Sequence, residues 1–140
     1  FFTPEEKEDI TMAIKHTELD TSGEIRVHIE KSCKGDPMDQ AAYIFEKLNM
    51  HKTEQRNGVL FYLALKNRRF AILGDAGINE VVSDDFWDEI RDGMLNHFRE
   101  NNFVDGLVEG ITKAGQQLKK HFPYQTDDVN ELSDEISFGK

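Results

Sequence analysis

Gly58-Val59-Leu60-Phe61-Tyr62-Leu63-Ala64-Leu65 runs apolar almost without interruption. A strand with one wet face alternates polar and apolar residues, so this stretch predicts a central strand covered on both sides by helices. The link Lys66-Asn67-Arg68 to the next apolar stretch, Arg69-Phe70-Ala71-Ile72-Leu73, is too short for anything but a hairpin. Upstream, Glu24-Ile25-Arg26-Val27-His28-Ile29-Glu30 alternates with period two and predicts a half-exposed strand. Between these two, after the break at Lys34-Gly35-Asp36-Pro37, Ala41, Ile44, Phe45 and Leu48 recur at helical spacing. A strand, a crossover helix and a second strand make a right-handed unit with parallel strands, and the third strand returns antiparallel.

Helices flank this unit. Thr3-Pro4-Glu5-Glu6 combines a capping hydroxyl, a proline at the first helical position and a glutamate three residues after the cap. Ser83 is the expected cap of a helix whose buried stripe is Phe86, Trp87, Ile90, Met94 and Phe98. Asn101-Asn102 interrupts it, and Leu107, Val108, Ile111, Ala114, Leu118 and Phe122 mark a last helix that Pro123 stops. The order implies an α/β fold, a small mixed β-sheet with helices packed on it. Residues 1–123 are read as one domain, and residues 124–140, acidic and weakly patterned, as a disordered tail.

Twenty-seven acids against seventeen Lys and Arg give a formal charge of −10. That field repels phosphate backbones, which argues against nucleic-acid and anionic-membrane binding and favours cations and basic partners. No apolar run approaches the roughly 20 residues of a membrane span, and the reading is a monomer in the cytoplasm without membrane insertion. The chain starts at Phe1, which leaves room for a removed leader. The single cysteine, Cys33, has no internal disulfide partner and no metal-ligand spacing around it.

The strand directions gather a candidate site. The carboxyl end of the third strand lies beside the amino ends of the first two, which brings Asp20–Glu24, Arg56-Asn57-Gly58 and the loop from Gly74 to Asp85 to one rim. Asp75, Asp84, Asp85 and Glu24 are candidate oxygen ligands for a hard divalent cation such as calcium. The spacing is not that of an EF-hand, and acids at the start of a helix are also stabilised by its dipole. Gly74 and Gly77, which permit close backbone approach, together with Arg56 and Asn57 are the candidate substrate contacts. Arg56 can equally pair with a nearby carboxylate. His28 and Glu30 share a strand face as an exposed edge pair. No Ser, Thr or Cys stands in a nucleophile-elbow context.

Three stretches resemble the TPM domain family, named for thylakoid-lumen photosystem repair proteins and a neuronal receptor accessory protein and with many bacterial members. They are Thr21-Ser22-Gly23-Glu24-Ile25-Arg26-Val27, Arg56-Asn57-Gly58-Val59-Leu60, and Leu73-Gly74-Asp75-Ala76-Gly77-Ile78 with Asp84; the stretch from Phe98 to Gly106 also fits. The resemblance implies a three-layer α/β/α sandwich, calcium binding as in some members, acid phosphatase activity as proposed for plant members, and accessory roles in membrane complexes. The chain departs from the pattern in three places. Arg56 stands where the family often has an acid, Gly74-x-x-Gly77 widens a Gly-x-Gly spacing, and Asn101 replaces a common glycine. Two expectations follow: a non-catalytic interaction or accessory module, with calcium at the acidic rim and a protein partner; or a metal-dependent phosphomonoesterase.

Overall fold

The computed structural model describes residues 2–124 and 136–139. Helix α1 (Pro4–Glu18) begins in a reciprocal capping box: Glu6 N–H donates to Thr3 Oγ1 at 3.1 Å, and Thr3 N–H donates to Glu6 Oε1 at 3.0 Å. Strand β1 (Glu24–Glu30) follows, then α2 (Pro37–Lys47), whose cap Asp36 accepts from Met38 N–H at 2.8 Å. Strand β2 (Gly58–Ala64) and β3 (Arg69–Gly74) form the hairpin, with Arg68 at φ 52° closing its turn. Then come α3 (Ala76–Asn79), α4 (Phe86–Arg99), α5 (Phe103–His121) and β4 (Ser137–Phe138).

The sheet order is β3-β2-β1-β4, with β1 parallel to β2 and to β4, and β3 antiparallel to β2. β2 is buried along its whole length, as its lack of alternation requires. Its residues divide by parity. Val59, Phe61 and Leu63 join Ile10, Ile14, Ile90, Met94, Leu107 and Ile111 in the core under α1, α4 and α5. Leu60, Tyr62 and Ala64 face the other way, against Ala41, Ile44 and Phe45 of α2. Helices therefore cover both faces, which makes the three-layer sandwich. α5 seats closely on its neighbours, for a Cβ at Gly115 would stand 2.1 Å from Thr17 Cγ2 of α1.

Three expectations need correction. β1 is not half-exposed: Ile25, Val27 and Ile29 fill one core, while Glu24 and His28, its polar alternates, are buried as well. β1 is also not an edge, because β4 pairs with it at His28 and Ile29. Ser83 does not cap α4; Asp85 holds that position and makes no side-chain capping bond. Of residues 124–140, Ser137–Phe138 form β4, and residues 125–135 lie outside the described part.

Burying the polar face of β1 requires partners, and the structure supplies them. His28 Nδ1 lies 2.9 Å from Ser137 Oγ of β4, and His28 Nε2 is 3.6 Å from Glu30. Tyr62, opposite His28 in the register, donates its hydroxyl to Glu30 Oε1 at 2.6 Å, and Gln40 Nε2 donates to the same oxygen at 3.0 Å. Burial lowers the His28 pKa below 6.5, against the pull of Glu30, and burial together with the bond to Glu30 raises that of Tyr62. Folded His28 thus binds a proton less readily than the unfolded chain does. Its contribution to stability is complete above pH 6.5 and is lost as pH falls below it. Thermal melts between pH 7.5 and 5 are expected to show a declining Tm, with a shallower decline in His28→Gln; an identical slope in the two proteins would contradict this assignment.

Candidate functional site

The rim where β1 and β2 begin and β3 ends is built from three turns. Thr21, buried, directs its hydroxyl to the carbonyls of Leu118, at 2.9 Å, and Phe122, and accepts from Gly23 N–H at 3.0 Å. That ties the first turn to the end of α5. Gln55 Nε2 donates to Ser22 Oγ at 3.0 Å, and Glu24 N–H donates to the Asn57 carbonyl at 3.4 Å, which joins the first turn to the second.

The third turn is held by Arg56 and Asp75. Arg56 adopts φ 53°, a left-handed conformation that costs a side-chain-bearing residue energy and persists only where contacts enforce it. From there its guanidinium forks onto Asp75, Nε to Oδ2 and Nη2 to Oδ1, both at 2.7 Å. Asp75 Oδ1 also accepts from Ala76 N–H at 2.8 Å, which caps α3. The Asp75 side chain is 5% exposed and that of Arg56 51%, so the carboxylate is sealed beneath a half-solvated cation. Backbone bonds reinforce the clamp: Asp75 N–H to Gly58 O at 2.9 Å and Gly77 N–H to Arg56 O at 2.8 Å.

These contacts explain both glycines without a ligand. A Cβ at Gly77 would stand 2.1 Å from the Gln55 carbonyl oxygen, and one at Gly74 would stand 2.5 Å from Trp87 Cζ2. Neither glycine has positive φ. Both are small so that protein can approach them, Gln55 and Arg56 standing against Gly77 and Trp87 against Gly74.

The four candidate metal ligands occupy different settings. Asp75 lies under Arg56, Glu24 is buried at the start of β1, and Asp84 and Asp85 are exposed ahead of α4. Among the described residues no three His, Cys, Asp or Glu side chains are grouped to hold a metal ion. The Asp75 oxygens are engaged by a guanidinium and a backbone N–H, so the donor set as arranged does not fit a divalent cation. Asn57, 1% exposed, has neither side-chain Nδ2 nor Oδ1 in a hydrogen bond, and Thr53 Oγ1 is likewise buried without one.

The polar cluster at the opposite end of the sheet, around His28, Glu30 and Tyr62, was not legible as a unit. The sequence placed His28 and Glu30 on one strand face, and the signal that could have joined Tyr62 to them was a tyrosine inside an otherwise apolar strand. His97 of α4 pairs with Glu109 of α5, which also receives Lys113 Nζ at 2.9 Å. The Lys113 bond, then that of His97, holds the Glu109 carboxyl below its ordinary value. This is a helix-to-helix tie, remote from the rim.

The fold and rim define a small α/β/α domain whose glycine-bearing loop is closed over a buried carboxylate by an arginine. The chain belongs to the TPM domain family, whose model matches residues 1–117. The chain is 50% identical to the BA42 protein of the psychrophilic bacterium Bizionia argentinensis, whose NMR structure it matches with a TM-score of 0.92 over 99% of this chain and 96% of that one. The fold also recurs in the N-terminal domain of a P. gingivalis protein, at 22% identity and a TM-score of 0.70, covering 89% of this chain and 82% of that one. An N-terminal domain from Corynebacterium glutamicum matches at 15% identity and 0.66, covering 84% and 74%. No curated protein matches the chain. Among the described residues, no helix is long and apolar enough to cross a membrane.

Proposed function

We propose that this domain is a non-catalytic interaction module in which Arg56 takes the place of a cation at the glycine-bearing rim. The observation that carries the reading is the forked Arg56–Asp75 pair, both bonds at 2.7 Å, over a carboxylate that is almost fully buried. A bidentate guanidinium neutralises the acid and satisfies both of its oxygens, the two tasks a metal would perform there. The Thr21 hydroxyl at the rim is engaged by backbone carbonyls, which supports a structural rather than a nucleophilic role for it.

A second reading, calcium at the same rim, draws support from Asn57. Its buried Oδ1 lies without a partner in the residue whose backbone carbonyl accepts from Glu24 N–H, and a cation reaching it would meet an oxygen donor.

One pair of experiments separates these readings from each other and from catalysis. The wild-type protein is expected to hydrolyse no p-nitrophenyl phosphate with calcium or magnesium, and to keep its Tm when calcium is added at millimolar levels. Arg56→Asp, which restores an acid and suits the left-handed conformation better, is expected to melt lower in chelator and to recover with calcium. Calcium-induced NMR shifts at Asn57 and Glu24 in the wild type would establish the second reading. Hydrolysis abolished by chelator and by Asp75→Ala would overturn the first.

A further inference from the structure

β3 is the edge of the sheet that no described strand covers, and we propose that it is a docking site for an extended, basic peptide segment of a partner protein, which would add to the sheet as a fifth strand. This goes beyond the interaction-module reading of the rim. Hydrolysis at Asp75 would overturn that reading and leave the strand-addition test unaffected.

The two edges of the sheet differ. β1 is covered by β4, whereas among the described residues β3 pairs with β2 alone. The phase of the ladder decides which backbone groups β3 presents. Asp75 N–H donates to the carbonyl of Gly58, the residue opposite it, so that pair is a hydrogen-bonded one. In an antiparallel ladder such pairs alternate. Leu73, Ala71 and Arg69 therefore turn their N–H and C=O groups toward β2, while Gly74, Ile72 and Phe70 turn theirs outward. Of these outward groups, the Gly74 carbonyl is taken by Asn79 Nδ2 at 2.8 Å, and Asn79 is itself fixed by Trp87 Nε1 at 2.8 Å. Among the described residues, the outward N–H and C=O of Phe70 and Ile72 meet no partner.

Natural proteins usually blunt such an edge with a proline, a bulge, a lysine pointing inward or a covering element. Here the edge opens instead into a groove of about 350 Å³ between the start of α2 and the start of α4. Phe70, Ile72, Met38 and Trp87 give it apolar walls, and Asp36, Asp88 and the Arg91 that pairs with Asp88 at 2.9 Å stand at its rim. Unpaired backbone donors and acceptors beside apolar side-chain slots are what strand addition needs: the main chain supplies affinity and alternate side chains fill the slots. Charge selects the occupant. At −10 a second copy of this chain is repelled, while a segment whose apolar residues alternate with lysine or arginine is attracted.

The test uses the full chain, ¹⁵N-labelled, and the capped pentapeptide Lys-Val-Thr-Val-Lys. Binding is expected to shift the amides of Phe70, Ile72 and Gly74 and to slow hydrogen exchange at Phe70 and Ile72. Two N-methylated forms of the peptide supply the control, one methylated at both valines and one at Thr and the last Lys, because these sets of N–H groups lie on opposite edges of a strand. One form is expected to bind at least about tenfold more weakly and the other to keep its affinity, since only one edge can face β3. Equal effects of the two forms would overturn the proposal, as would shifts spread over the acidic surface without slowed exchange. So would no binding at all, or edge protection that appears without peptide as the protein concentration rises, which would make a second copy the occupant.

Discussion

Gly77→Ala is expected to destabilise the domain by up to about 3 kcal/mol, a Tm loss of up to roughly 10 °C. The added methyl meets backbone, the carbonyl oxygens of Gln55 at 2.1 Å and Arg56 at 2.7 Å, and neither can swing aside as a side chain would. α3 must lift instead, which breaks the bond from Gly77 N–H to Arg56 O and draws Asp75 away from its guanidinium. Overpacking costs roughly 1–3 kcal/mol and the lost bond about 1 more, while alanine returns about 1 kcal/mol of helix propensity. Gly35→Ala, where a Cβ finds nothing within 4 Å, serves as the control and is expected to change stability by less than about 0.5 kcal/mol. Equal urea midpoints for the two variants would show that the rim is not clamped.

The fold was legible where the signal was local and long. The unbroken apolar run at β2 indicated burial on both faces, and the three-residue link to β3 dictated a hairpin; both hold in the structure. The convergence of three turns on one rim followed from strand direction alone, and Arg56, Asp75 and Gly77 do meet there. What could not be read was short or long-range. α3 has four residues, too few for a helical period to show, and its cap Asp75 is a position where the residue types of an N-cap and of a metal ligand coincide. β4 has two residues and pairs with β1 across more than a hundred positions, which no local pattern encodes. It also accounts for the misreading of His28 and Glu30, because alternation marks a half-exposed strand only if the polar face stays in water. Here Ser137, Gln40 and Tyr62 replace the water.

The two proposals share a physical basis in how polar groups are left. At the rim the buried carboxylate is fully engaged, so there is little for a small ion to gain at Asp75. At the β3 edge the outward backbone groups of Phe70 and Ile72 meet no partner among the described residues, so a peptide gains hydrogen bonds there. The Asn79 amide joins the two regions, since it terminates the open edge at Gly74 and stands on the helix that Asp75 caps. Loosening the clamp is therefore expected to disturb the end of the edge as well.

Asp75→Ala tests that linkage and carries the second large effect, a loss of about 2–3 kcal/mol. The substitution removes an N-cap worth about 1 kcal/mol and a buried acceptor of charge-assisted hydrogen bonds. The loss stays below the cost of breaking a fully buried ion pair because the Arg56 side chain is half exposed and rehydrates when freed. Arg56 itself has φ 53°, and without Asp75 its side chain loses both hydrogen bonds that hold it there. The measurement is a urea melt alongside an amide spectrum. Shifts are expected at Arg56, Gly77 and Asn79 and onward to Gly74, while the β1 cluster at His28 and Glu30, at the far end of the sheet, keeps its resonances. Asp75→Asn, which retains an oxygen for Ala76 N–H, is expected to lose about half as much. If both substitutions were neutral, the ion pair would be a surface contact of the kind that contributes little, and Asp75 would be free to serve a ligand.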